Sequence, residues 1–538
     1  MTQLSKPPPM LWLAVHLPLL PLEAFSATLP PAEAARPLAL LADHRVSQVN
    51  PAAAERGLRP GIQRATALAL AADLLLADSH PGREAAALQA VAHAALAFTP
   101  AVTLQDAQTV LLDVQGSLRL FGGLPALHQQ LQAALAPLGH RVQMAAAPTA
   151  LGAALLAHWF PRAAPGRSDL VLGAHATQLP ALQALLVKAP VHLLSPGREH
   201  ADALQGMGLH TLADLRALPR SGLARRFGEA LLDDLDRALG LRPDPRRWLE
   251  LPATFDSRLE LFARADTTDQ VLHGASVLLA RLVAWAQARH ARVAAFTLRM
   301  LHERARHTAT PATELRIELA EPALDAAHLQ GLLRERLARL ELIAPTLDLQ
   351  LHCSHLVAGH LPNAELFPTR ASEAEGMTRL LERLRARLGD EQVLHLVPVA
   401  DYRPEHASRA VPVLGPAAAA APATPFTSTS IKYAPALAAA LAAAAASTLP
   451  LHRPAWLLPE PLALAERDAW PLLQGRPLQL LSGPERIETG WWDGDSVARD
   501  YFIAAEEDGS LVWVYRGRLP SALNVAGEPH WFLQGRFA

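Results

Sequence analysis

Apolar residues in this chain fall in short runs and spaced stripes, and the polar breaks between them predict the elements. The run LWLAVHL (11–17) is apolar on both faces of an extended chain and predicts a buried first strand, and PLALLA (37–42) predicts another. NPAAAERGLRPGI (50–62) predicts a small helical module, followed by an Ala/Leu helix. TVLLDV (109–114) predicts a second strong strand, closed by Gly116 and a turn at Gly122–Gly123. A helix from about Pro125 to Ala136, a strand at 141–147 and a helix at 149–159 follow. Residues 190–247 read as helices punctuated by glycine. Residues 256–402 alternate strand and helix: VAAFTLRML, ELRIELA, a helix at 325–339, LDLQLHCSHL, a helix at 371–388, then VLHLVPV. The pattern is that of an α+β multidomain protein.

The Pro- and Ala-rich stretch 411–450 predicts a linker, and 451–538 predicts a compact, mainly β module with WVYRGRL as one strand. Six of the chain's ten Trp and two of its four Tyr lie in that last segment, an enrichment that points to a small aromatic core or a protein interface. Within it, WWDGD reads as a turn between strands in which Gly494 supplies positive φ. Metal binding by Asp493 and Asp495 is the weaker reading.

At 538 residues, two to four domains are expected. A hydrophobic fraction of 50% with 19% charged residues describes a folded chain, and the net charge of −2 leaves any case for nucleic acid to local patches. One cysteine, Cys353, excludes an intrachain disulfide framework and a Cys-rich zinc site, and suits a reducing cytoplasm. The apolar start is broken by Pro18, Pro21 and Glu23, so neither a signal peptide nor a membrane span is expected there, and no uninterrupted span is expected elsewhere.

The order of several motifs from Met10 to about Arg409 resembles a Y-family (translesion) DNA polymerase, in particular its ImuB-type branch: GLRPGI, LLDVQGSLRLFGG, an Ala-Pro strand–helix turn, a thumb motif and FDSRLEL. The resemblance implies palm and fingers over 10–165, a thumb with a helix-hairpin-helix over 166–250 and a little finger over 251–410, followed by the linker 411–450 and the partner-binding module 451–538. It also implies that the metal-binding carboxylates are missing. The first falls at His16 and the second at Pro18, while the Asp–Glu pair before the Leu-Asp-Val strand falls at Gln108 and Thr109. An imidazole, an amide and a hydroxyl do not replace the negative charge that holds two divalent metals. The family's triphosphate-binding side chains fall at Pro51, Ala54, Ala150 and Ala154, which removes the cations as well. No catalytic residue, cofactor or metal site is therefore expected.

DNA contacts are expected to persist. LQGMGLHTLADLRALPRSGLARRFG (204–228) resembles the thumb hairpin: Gly206 and Gly208 permit the tight turn, Thr211 caps the next helix, and Arg225 and Arg226 belong to a stretch with eight Arg against five acids from Arg216 to Arg247. Two segments match a bacterial sliding-clamp peptide. RLELF (258–262) matches better but falls in a predicted strand. NAELF (Asn363, Leu366, Phe367) falls in a polar loop and is favoured, with the choice left open. The resemblance implies a non-catalytic adaptor in DNA-damage-induced (translesion, SOS) mutagenesis. It would be cytoplasmic and nucleoid-associated, and would join DNA, the sliding clamp, an ImuA-like RecA-related protein and an error-prone replicative-type polymerase, with no membrane. The alternatives are an active translesion polymerase with substituted ligands and an unrelated DNA-binding structural protein.

Overall fold

The structure is a computed structural model that describes residues 10–159, 175–303, 312–358, 370–413, 453–454, 456–518 and 530–537, the side chains of 370–375 excepted. The chain divides into two compact units, Met1–Thr369 with Gly376–Arg387, and Arg370–Glu375 with Leu388–Ala538.

The first unit is built on a four-stranded antiparallel sheet, ordered Val102–Asp106, Thr109–Asp113, Trp12–His16, Gln143–Ala147. The central strand is apolar on both faces because both are covered. Leu13 and Val15 pack with Val110, Leu112 and Ala146 against the helices Pro81–Leu96 and Leu124–Leu135. Trp12 and Ala14 pack with Leu111, Ala145 and Ala147 against the helix Ala150–Trp159. That second core continues without a break into the helices between Leu179 and Ala238, the expected thumb.

A smaller three-stranded sheet, Arg45–Val49, Leu38–Ala42 and Leu75–Asp78, carries the short helices Pro51–Glu55 and Arg64–Leu70. Pro51 is pre-set for a first helical position, and Asn50 caps it by accepting the Ala53 N–H at 2.9 Å.

Another four-stranded sheet in this unit runs Ala312–Ala323, Ala291–His302, Thr346–Ala358, Phe255–Ala265. It packs against Thr268–Ala288 and Ala326–Leu337. Thr268–Ala288, with 21 residues, is long and apolar enough by length and composition to cross a bilayer, which corrects the expectation that no such stretch occurs. Here its apolar residues are core: Val271, Leu278, Leu282 and Trp285 are buried against the sheet.

The second unit holds a seven-stranded antiparallel sheet: Arg476–Pro477, Trp470–Leu473, Trp456–Arg467, Trp531–Arg536, Leu511–Gly517, Val497–Ala505, Gln479–Thr489. Period-two alternation puts Val512 and Val514 with Leu464 and Leu533 on one face, and Trp513 and Tyr515 with Tyr501 and Ile487 on the other. The strand expected at VLHLVPV, Leu394–Pro398, pairs with Ser408–Pro412 and lies in this unit rather than with the domain expected over 251–410. The remainder of the expected linker, from 414, lies outside the described residues.

Candidate functional site

Strand register assembles the site. His16 ends its strand directly opposite Thr109, which begins the neighbouring strand, so the two side chains share one face of the sheet. The helix Ala150–Trp159 covers that face and brings His158 in its last turn. Thr109 Oγ1 lies 3.1 Å from His16 Nδ1 and 2.8 Å from His158 Nε2, and the two imidazole centroids are 3.8 Å apart. A hydroxyl can donate to one nitrogen and accept from the other, so the three groups can satisfy one another.

Burial holds His16 well below the usual imidazole range, at about 4, and the neighbouring His158 adds to the effect. Burial also lowers His158, opposed by Asp106 and aided by Arg198. Both rings are therefore neutral at physiological pH. Asp106 Oδ1 accepts the Gln108 N–H at 2.8 Å, fixing the turn between Val102–Asp106 and Thr109–Asp113, while Oδ2 is 3.6 Å from His158 Nε2. A cleft of ≈ 340 Å³ opens beside the cluster, lined by Gln105, Ser195 and Arg198 among others.

Two chemistries can be tested on this geometry. A two-metal phosphoryl-transfer centre needs carboxylate oxygens converging on the ions. Here the converging groups are two neutral imidazoles and a hydroxyl with no exposed surface, while the nearby carboxylate of Asp106 is tied into a turn. These residues do not fit such a centre. A nucleophile–base–acid chain fails as well: Asp106 and Thr109 both face Nε2 of His158, so the acid cannot orient the ring through its other nitrogen.

The four positions matched to triphosphate contacts do not converge. Pro51 and Ala54 are exposed on the helix Pro51–Glu55, while Ala150 and Ala154 are buried on the helix Ala150–Trp159, with Ala154 lining the cleft. Pro18 follows the first strand, and its carbonyl accepts from Gln48 Nε2 at 3.2 Å. Sequence reasoning did not find His158, Asp106 or Arg198. They carry no motif and are joined to His16 only through register and helix packing.

The segment 204–228, expected as a thumb hairpin, turns at Gly208 between two short helices. Ala201–Gly206 ends at Met207, Gly208 has φ 74°, and Leu212–Ala217 begins with a capping box of Thr211 and Asp214. Of the eight arginines from Arg216 to Arg247, Arg220, Arg237, Arg242 and Arg246 are tied to Asp236, Asp234, Asp233 and Asp244. Arg225 and Arg226 are exposed and make no ion pair among the described residues; Arg226 lies over the Phe227 ring at 5.7 Å.

RLELF lies within the edge strand Phe255–Ala265, with Leu259 buried opposite Leu349. Phe262 is 43% exposed and meets Phe25 edge-on at 5.0 Å. Asn363, Leu366 and Phe367 lie outside the described residues.

In the second unit the WWDGD turn forms as expected, with Gly494 at φ 85°. Arg403, nearly buried, binds Asp401 at 2.7 Å, Asp493 at 2.5 Å and the Asp495 carbonyl at 3.1 Å. Of the segment's six Trp, Trp513 and Trp531 are core, whereas Trp456, Trp470, Trp491 and Trp492 are exposed.

Residues 25–158 match the impB/mucB/samB family model. Protein ImuB of Caulobacter vibrioides, in strains NA1000 / CB15N and ATCC 19089 / CIP 103742 / CB 15, is 29% identical over 499 residues, which is 89% of this chain and the whole of the relative. Similar solved structures include a Dbh ternary complex (TM-score 0.36, 16% identity, 64% of this chain and 98% of that one). DinB from Sulfolobus solfataricus is another (TM-score 0.35, 16% identity, 64% and 98%).

Proposed function

We propose, for a chain that carries a Y-family (impB/mucB/samB) polymerase-like domain and is homologous to ImuB over most of its length, a non-catalytic, DNA-binding adaptor role in DNA-damage-induced mutagenesis. The observation that carries this reading is the His16–Thr109–His158 cluster. It fills the position matched to the metal-binding carboxylates with mutually bonded neutral groups. Phosphoryl transfer depends on charge stabilisation by metal ions, and this donor set supplies no carboxylate pair to hold them.

DNA is held, in this reading, by the thumb hairpin and its free arginines, through phosphates and without base reading. The exposed tryptophans of the second unit suit protein partners, because aromatic side chains supply most anchoring energy at interfaces. The partners are an ImuA-like RecA-related protein, an error-prone polymerase and the sliding clamp, met in the cytoplasm at the nucleoid. For the clamp, 363–367 remains the favoured peptide, since Leu259 of 258–262 is committed to the core.

Primer extension by purified protein with Mg²⁺ or Mn²⁺ tests the absence of catalysis. No nucleotide addition is expected. Extension that disappears on Gln108→Ala or Thr109→Ala would overturn the reading.

A further inference from the structure

A second and larger cleft, ≈ 780 Å³, lies in the first unit between the helix Pro81–Leu96 and the segment Leu249–Glu260. Its volume is in the range of small-molecule sites. Its lining carries both signs of charge, Arg83 and Arg258 with Glu250, Asp256 and Glu260. Arg258 is ion-paired with Asp348, and Asp256 accepts from Gln350 at 3.0 Å and faces His352 at 3.6 Å.

Arg281, on the long helix Thr268–Ala288, is different. It lines the cleft with only 5% of its surface exposed, and its sole hydrogen bond among the described residues is from Nη1 to Ser257 Oγ at 3.2 Å. Among the described residues the other guanidinium N–H groups have no hydrogen-bond partner and no carboxylate forms an ion pair with Arg281. Burial alone pulls its pKa down to about 10. A buried cation without a counter-charge is costly, and side chains of this kind are ordinarily paired or engaged with a ligand. His93, held neutral by burial with a pKa of about 4, and Gln89 add uncharged donors along the same wall.

We propose that this cleft binds a small organic oxyanion whose phosphate or carboxylate group lies against the Arg281 guanidinium and the Ser257 hydroxyl. One guanidinium matches one such group in charge and in forked geometry. The site is separate from the His16 cluster and does not depend on the adaptor reading.

The full-length protein is titrated by calorimetry and thermal shift with pyrophosphate, dAMP and glutarate, each at ionic strength balanced with chloride. Saturable binding of at least one probe is expected, and the responding probe tells a phosphate from a carboxylate source. In Arg281→Met the affinity falls at least ten-fold, while the unliganded variant melts at or above the parent's temperature because the unpaired charge is gone. Arg281→Lys keeps the charge but loses the fork and binds several-fold more weakly, as does Ser257→Ala, which keeps the experiment decisive if the methionine variant folds poorly. The proposal is overturned if no probe binds beyond the chloride control, or if the Arg281 and Ser257 variants bind as the parent does.

Discussion

His16 sets the terms at the residue scale. It is buried, bonded to a hydroxyl that is itself shared with His158, and held near pKa 4 against an ordinary value of 6.5. A histidine whose folded pKa is depressed contributes stability that is fully present above its unfolded pKa and is lost as pH falls through the folded value. Between pH 6.5 and 4 the unfolded chain takes up a proton that the folded chain refuses. Urea denaturation at pH 7 and pH 5 is expected to show a loss on acidification, with His16 contributing up to about 2 kcal/mol and His93, also near pKa 4, a similar amount. His16→Gln removes one of those protons, so its stability changes less between the two pH values than the parent's. Equal pH dependence in parent and variant would show that His16 titrates normally in the folded protein. The same cluster bears on a carboxylate introduced at Thr109. Thr109→Glu would place a charge where Thr109 has no exposed surface, and both imidazoles would lose their shared partner.

Among the elements, the hairpin between Ala201–Gly206 and Leu212–Ala217 carries the next expectation. Four of the eight arginines in this region are ion-paired within it, which leaves Arg216, Arg225, Arg226 and Arg247 exposed and without an ion pair among the described residues, with Arg225 and Arg226 adjacent on the helix Arg220–Phe227. Charge reversal of both should weaken DNA binding equally for unrelated sequences and flatten the salt dependence by on the order of two counterions. Unchanged affinity across a salt series would place the DNA contact elsewhere. Thr211→Ala removes a capping-box hydroxyl and should lower stability by ~1 kcal/mol. A parallel fall in DNA affinity in that variant would tie binding to the ordered start of Leu212–Ala217. The hairpin was legible in the sequence because glycine and a Thr-x-x-Asp cap are local signals. So were the strands Trp12–His16, Thr109–Asp113 and Gln143–Ala147, whose apolar runs exceed what a half-exposed strand carries. The strands RVSQV, LLAD and VTLQD were not legible. They are short and mixed in polarity, and they become strands through pairing with Leu38–Ala42 and Thr109–Asp113. His158 escaped for a related reason: its partner Thr109 lies 49 residues away, and only the packing of a helix on a sheet face joins them.

For the whole molecule, the question is where the separable partner-binding piece begins. The sequence set the boundary at 451, at the end of the Pro/Ala-rich stretch. The structure ties the exposed Trp491–Trp492 turn to a residue well before that point, since Arg403 holds Asp493 and the Asp495 carbonyl while Asp401 holds Arg403 from the other side. Gly490 adds a steric demand on the same turn: at φ 87°, a Cβ there would stand 2.2 Å from the Asp495 carbonyl oxygen. Arg499 is likewise paired with Glu405 at 2.8 Å. A fragment 389–538 keeps all of these partners and should unfold cooperatively, with the stacked Tyr501–Trp513 pair giving a native near-UV signal. A fragment 451–538 leaves Asp493 and Arg499 without them and should melt at a lower temperature with a loosened tryptophan turn. Arg403→Ala in the full chain should reproduce that loosening without truncation. If the tryptophans anchor partners, Trp491→Ala with Trp492→Ala should abolish partner pull-down and damage-induced mutagenesis while leaving DNA binding intact, and Arg403→Ala should weaken both by disordering their platform. A chain ending at 388 that still recruits the proposed partners, and still supports induced mutagenesis, would place the proposed adaptor surface on the first unit instead.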